Sequence, residues 1–144
     1  MILIDANLLL HAYNPRSAVH EAARSWLQRA LSGPEPVAFA WVTVWAFLRI
    51  STSSRVFEQP LTIAEATDIV ASWLAQPAVG LLEPGDRHWD ILRKTATAGQ
   101  AAGSLVMDAA LAAIAREHGA RLCTTDRDFA RFPDVSWVNP LART

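Results

Sequence analysis

"RLCTTDRDFARF", residues 121–132, sets two aspartates, Asp126 and Asp128, two positions apart directly after a short apolar run. The run reads as a strand over 121–124, and 127–131 as a short helical turn. The two carboxylates therefore stand at the carboxyl end of a buried strand. A surface loop would use them for turn chemistry, each side chain accepting from the backbone two residues on. An active site would use them to hold a metal. What else the chain brings to that end decides between the two.

Outward from this stretch, short apolar strands alternate with helices. Residues 2–5 (ILID) form a strand that ends in Asp5. Residues 17–31 read as a helix, with Val19, Ala22, Ala23, Trp26, Leu27, Ala30 and Leu31 on one stripe, stopped by Gly33 and Pro34. A strand over 37–40 leads into a helix to about residue 50. Thr62 to Glu65 has the form of a capping box and opens a helix to about Gln76. A strand follows at 79–82. Asp86 is expected to cap a helix running toward Gly99, and Ser104 to cap one through His118, with Gly119 as its stop. A last strand falls at 135–138. Four- and five-residue apolar strands between helices predict an α/β fold with a parallel sheet covered on both faces.

In such folds the site lies outside the carboxyl ends of the strands. Asp5 and Asp126 both stand there, and Asp108 lies in the first turns of the helix before the later strand. Each acid alone has a structural reading. Asp5 and Asn7 suit helix caps for "ANLLLHAY", Asp108 an exposed helix face, and Asp126 with Asp128 an Asx turn. Asp108, however, is set among apolar or small neighbours, where an unpaired carboxylate is costly. Convergent carboxylates raise one another's pKa, and a divalent cation removes that cost. Oxygen-only ligands favour Mg2+, with Mn2+ as a substitute, over zinc. His11, His20, His88 and His118 show no zinc spacing. Cys123 lies in a buried strand without a basic partner and reads as core.

Clustered acids with Mg2+ fit phosphodiester hydrolysis or phosphoryl transfer through an aspartyl nucleophile. The second chemistry, as usually built, needs a lysine beside the aspartate. The only lysine, Lys94, lies on the helix 86–98, and "DAN" lacks a second aspartate two residues after Asp5. Hydrolysis is favoured.

The bulk numbers agree with one enzyme-sized domain spanning 1–144. Hydrophobic residues make up 51% of the chain, and a single cysteine excludes an internal disulfide and suits a reducing cytoplasm. The start, "MILIDANLLL", has no basic n-region and carries an aspartate, so neither a signal peptide nor a membrane helix is expected. A formal net charge of −1 gives no global basic balance toward nucleic acid. The thirteen basic residues are Lys94 and twelve arginines.

The segments "IDANLLLHAY", "DAALAAIAREHGARLCTTDRDFARFP" and "WVNPL", with "WAFLRISTSSRVFEQPLT" between them, resemble PIN-domain ribonucleases. Within that family the chain is similar to the VapC toxins of bacterial toxin–antitoxin pairs, and the middle segment to their mycobacterial branch. The resemblance implies a parallel sheet sandwiched between helices and a Mg2+-dependent endoribonuclease that blocks translation. Its substrate would be a transfer or ribosomal RNA, and its partners a VapB-like antitoxin and a second copy in a homodimer. Asp5, Asp108, Asp126 and Asp128 fall on the family's catalytic acids, with Asp5, Asp108 and Asp126 as metal ligands. Asn7 and Thr125 match positions that orient carboxylates. One departure stands out: many PIN domains carry a glutamate where this chain has Ala46. One oxygen ligand is then missing, which leaves a one-metal site, a weaker second metal or a substitute acid such as Glu21 or Glu83, and keeps open a weakly or non-catalytic module that binds RNA or protein. Arg16, Arg49, Arg55, Arg127 and Arg131 are candidates for phosphate contacts. Trp41, Trp45 and Trp89, at helical spacing beside apolar residues, read as core or subunit interface rather than base-stacking platforms.

Overall fold

The structure is a computed structural model that describes residues 1–142. Five strands, β1 (Ile2–Ile4), β2 (Val37–Ala40), β3 (Val79–Leu82), β4 (Arg121–Cys123) and β5 (Trp137–Val138), form one sheet in the order β3-β2-β1-β4-β5. Every pairing is parallel. Six helices connect and cover it: α1 (Ala6–Tyr13), α2 (His20–Ser32), α3 (Trp41–Ser51), α4 (Ile63–Leu74), α5 (His88–Ala98) and α6 (Leu105–His118). Arg127–Arg131 form a 3-10 turn.

The sequence dictates this layering. β1 and β2 are continuous apolar runs buried at every position, as strands with helices on both faces must be. Alternate residues feed two cores. Ile2, Ile4, Val37 and Phe39 pack with α1 to α4 around Trp73, whose ring meets Phe39 at 5.3 Å and Phe47 at 4.7 Å. Leu3, Ala38, Ala40 and Leu122 face α6, with Phe129 and Phe132. Ala109, Ala112, Ala113 and Ala115 make α6 thin enough to lie close against the sheet.

Several boundaries differ from expectation, for local reasons. The first strand stops at Ile4 because Asp5 caps α1, accepting from Ala6 N–H at 2.7 Å. The fourth strand likewise stops at Cys123, and the fifth spans only Trp137–Val138. Asp86 does not cap α5: Arg87 precedes the helix with no side-chain bond. Ser104 precedes α6 but caps nothing, its backbone being already helical at φ −62° and ψ −23°. The Thr62–Glu65 capping box is present with both reciprocal bonds, at 3.1 and 3.0 Å. No helix among the described residues is long and apolar enough to cross a membrane.

Candidate active site

β1 and β4 are neighbours, paired Ile4 to Cys123. The next residue on each strand, Asp5 and Thr124, is therefore level at the carboxyl edge of the sheet. Asp5 N–H donates to Cys123 C=O at 3.0 Å, which locks this end of the pair. The Asp5 carboxylate is heavily hydrogen-bonded. Oδ1 accepts from Ala6 N–H, and Oδ2 from Thr124 Oγ1 at 2.8 Å and Asn7 Nδ2 at 3.2 Å. Burial still wins over these donors. It pushes the Asp5 carboxyl above its usual range, and the nearby Asp126 charge pushes the same way.

Thr124 is the node that joins the two acid-bearing loops. Its hydroxyl donates to Asp5 and accepts from Asn7 Nδ2 at 3.1 Å and from Asp126 N–H at 3.0 Å. Thr124 itself is fully buried, its partners Asp5, Asn7 and Asp126 half-buried. The expected orienting hydroxyl was that of Thr125. Thr125 instead contributes its backbone N–H to Asn7 Oδ1 at 3.2 Å. Asn7 reaches both strand ends, donating to Asp5 and Thr124 and accepting from Thr125 N–H. No feature of the sequence separates Thr124 from Thr125; the β1–β4 register does.

Asp126 Oδ1 accepts from Asp128 N–H at 2.8 Å and opens the 3-10 turn. The Asx-turn reading of this acid is met, and the turn leaves its carboxylate at the same sheet edge as Asp5. Asp108 sits half-buried in the first turn of α6. Its carboxyl is pushed up to about 6, first by burial, then by the charges of Asp126, Asp5 and Asp128; Arg131 pulls the other way. Asp108 thus lies within reach of three other carboxylates, from two further chain segments, at one edge. Glu21 and Glu83 are not among the charges that act on Asp108. Glu21 lies on α2 beside His20, and Glu83 accepts weakly from Trp41 Nε1 at 3.4 Å. Ala46, on α3, is half-buried and supplies no ligand.

Among the described residues no group of three or more His, Cys, Asp or Glu is drawn together closely enough to hold a metal as it stands. The donor chemistry nonetheless suits a hard divalent cation. All donors are carboxylate oxygens, and they disfavour one another's charge in a way that a cation would relieve. Zinc ligation is not offered. His11 bonds Ser17, His88 bonds Glu117 and His118 bonds the Glu83 carbonyl. Cys123 is buried, and its thiol is pushed up to about 11.

The arginines divide. Arg16 is paired with Glu58 at 2.6 Å. Arg49, Arg55 and Arg127 are exposed. Arg131 Nη1 donates to the Gly99 carbonyl at 3.0 Å. Trp41, Trp45 and Trp89 do not belong to the core, being 38%, 63% and 68% exposed.

A family model described as "PIN domain" matches residues 2–135. The chain is 44% identical over 142 residues to "Ribonuclease VapC37" of Mycobacterium tuberculosis, covering 99% of each. It is 40% identical to "Ribonuclease VapC33" of the same organism over 141 residues, 98% of this chain and 99% of that one. Among solved structures, it superposes on VapBC2 from Rickettsia felis bound to a promoter DNA fragment with a TM-score of 0.71 and 15% identity. That match covers 96% of this chain and 98% of the other. A second, VapC20 of Mycobacterium tuberculosis, described as a sarcin-ricin loop cleaving toxin, gives 0.66 at 18% identity over 94% and 99%. At such identities the structural likeness speaks to the fold.

Proposed function

The chain belongs to the PIN-domain family and, within it, to the VapC ribonucleases, the endoribonuclease toxins of toxin–antitoxin systems; on that premise we propose that it hydrolyses RNA phosphodiester bonds at Asp5, Asp108, Asp126 and Asp128 with the help of Mg2+. The observation that carries this reading is that the charges of Asp5, Asp126 and Asp128 all reach Asp108, so that carboxylates of three chain segments meet at one sheet edge. A structural role does not need them to face one another, and their repulsion costs stability.

Asp5, Asp108 and Asp126 would hold the ion, and Mn2+ would substitute. Bound there, a divalent cation supplies a lowered pKa for attacking water and charge stabilisation for the leaving oxygen. Asp5 is the fixed member, its carboxylate aimed by Thr124, Asn7 and the Ala6 amide. Asp128, exposed at the rim, is placed to accept a proton from the attacking water. Arg49, Arg55 and Arg127 are free to meet RNA phosphates, whereas Arg16 is engaged by Glu58.

The substrate is a transfer or ribosomal RNA, cleavage stops translation, and the setting is the cytoplasm. Inhibition comes from a VapB-like antitoxin that inserts an arginine into the acidic pocket, where its fork pairs with two carboxylates. A homodimer forms over the exposed tryptophans. A second reading, an RNA- or protein-binding module with little catalysis, is favoured by Ala46, which leaves the acid set one carboxylate short.

Asp5→Asn separates the two. It keeps the shape and removes the charge, so Mn2+-dependent RNA cleavage is expected to fall at least about a hundredfold, while the melting temperature holds or rises. Wild-type cleavage by a folded Asp5→Asn protein removes Asp5 from the chemistry. A wild-type protein that binds RNA without cleaving it supports the module.

A further inference from the structure

Arg131 stands beside the acid set but makes its bond elsewhere. Its Nη1 donates to the carbonyl of Gly99, the residue that ends α5. The connection that follows launches α6 and, one turn later, Asp108. It is tightly wound, with Gln100 at φ 51° and Gly103 at φ 59°. Gly99 is held from a second side as well. It is buried, and a Cβ built on it would lie 2.4 Å from the Phe132 ring. Its φ is −84°, so a side chain is excluded there by the ring and not by the backbone. Phe132 is itself buried, 6.0 Å from Phe129. The turn that carries Asp126 and Asp128 is thus tied to the α5–α6 connection twice, by a hydrogen bond from Arg131 and by a ring laid on a glycine.

We infer that Arg131, Gly99 and Phe132 form a latch that sets the distance between Asp108 and the Asp126–Asp128 turn, which makes Arg131 a positioning residue for the acid set. The inference rests on the catalytic reading of those acids. Its physical logic is that like charges on two separate elements push them apart. α6 and the 3-10 turn share core packing through Phe129 and Phe132, and the Arg131–Gly99 bond adds a tie at the connection just before α6 that opposes that push. The Arg131 guanidinium also lies close enough to Asp108 to offset part of its repulsion. The latch reading differs from a phosphate contact in one decisive way. A phosphate contact needs only the charge of Arg131, whereas the latch needs the bare Gly99 as much as the guanidinium.

The test uses Gly99→Ala, which leaves every charge in place, together with Arg131→Gln. Wild-type protein first establishes Mn2+-dependent RNA cleavage and Mn2+ affinity by calorimetry. For Gly99→Ala, kcat is expected to fall about tenfold or more, since a shift of about 1 Å in reacting groups costs up to about a hundredfold. KM for RNA should stay within about twofold, and Mn2+ affinity should fall with kcat. Arg131→Gln should show the same kcat loss at unchanged KM. The double variant Gly99→Ala/Phe132→Leu, which replaces the ring that the new methyl meets, should recover most of both kcat and Mn2+ affinity. Wild-type kcat and Mn2+ affinity in folded Gly99→Ala overturn the latch. A raised KM with unchanged kcat in Arg131→Gln also overturns it and makes Arg131 a phosphate contact. If Gly99→Ala does not fold, kcat of folded Arg131→Gln decides alone. A wild-type protein that neither binds Mn2+ nor cleaves RNA overturns the functional reading itself, an outcome distinct from an active wild type indifferent to Gly99→Ala.

Discussion

If Asp108 holds the cation as proposed, it ties metal affinity and stability to pH in opposite directions. Its folded-state pKa of about 6 exceeds the ordinary aspartate value of 3.8. Between those values the folded chain binds more protons than the unfolded one, so stability falls as pH rises through the window and levels off above it. The residue is half-exposed, and solvent screening keeps the effect modest. The metal-free protein is expected to melt at a lower temperature at pH 7 than at pH 4.5, with the difference reduced in Asp108→Asn. On the proposed reading, Mn2+ affinity should do the reverse, since Asp108 must be ionised to take the cation: it should climb through about pH 6. A melting temperature that rises steadily over the same range would show that the acids do not repel in the folded state. The acids themselves were legible in the sequence because a carboxylate at a strand end or within an apolar helix face is costly without a purpose. Thr124 was not, because adjacent threonines differ only by strand register, and register is set by pairing between residues over a hundred positions apart. Asp126 was legible as a turn former, and the turn it makes leaves its charge near Asp5 and Asp108.

Elements were read most accurately where a local chemical rule fixes them. The Thr62–Glu65 box is one such case, and Gly119 is another, closing α6 at φ 63°. Asp86 and Ser104 were misread as caps because capping depends on backbone angles at the helix entry, which composition does not reveal. The first strand was read one residue too long, to Asp5. Asp5, as a cap, ends the strand and starts the helix. Gly119 offers a clean energetic test at this scale. Nothing lies within 4 Å of a Cβ placed there, so substitution meets backbone strain alone. Gly119→Ala is expected to cost about 1–2 kcal/mol in denaturant melts and to leave kcat unchanged, because α6 carries its acid at the opposite end. A loss of activity without loss of stability would mean that strain at Gly119 travels the length of the helix to Asp108.

At the scale of the molecule, α/β class and parallel pairing followed from strand length and alternation, but the strand order β3-β2-β1-β4-β5 did not, since it depends on which crossover each helix makes. The tryptophans show the same limit. Helical spacing marks them as apolar, and only the packed fold shows that Trp41 and Trp45 remain on the outer side of α3. If a second copy covers them, Trp45→Glu should yield a monomer by sedimentation at concentrations where the wild type is dimeric, with the fold intact by circular dichroism. An unchanged sedimentation coefficient would place the subunit contact elsewhere. The central strand β1 has a further consequence, for synthesis. It is made among the first residues, yet its β4 edge stays open until 121–123 emerge, and Asp5 meets Thr124 only then. At about 5–20 residues per second, the growing chain exists for several seconds without an assembled acid centre. If the acid set carries the cleavage as proposed, a ribosome translating this message meets an inert nascent chain through most of elongation, and competence arrives only when residues 121–126 join the sheet edge.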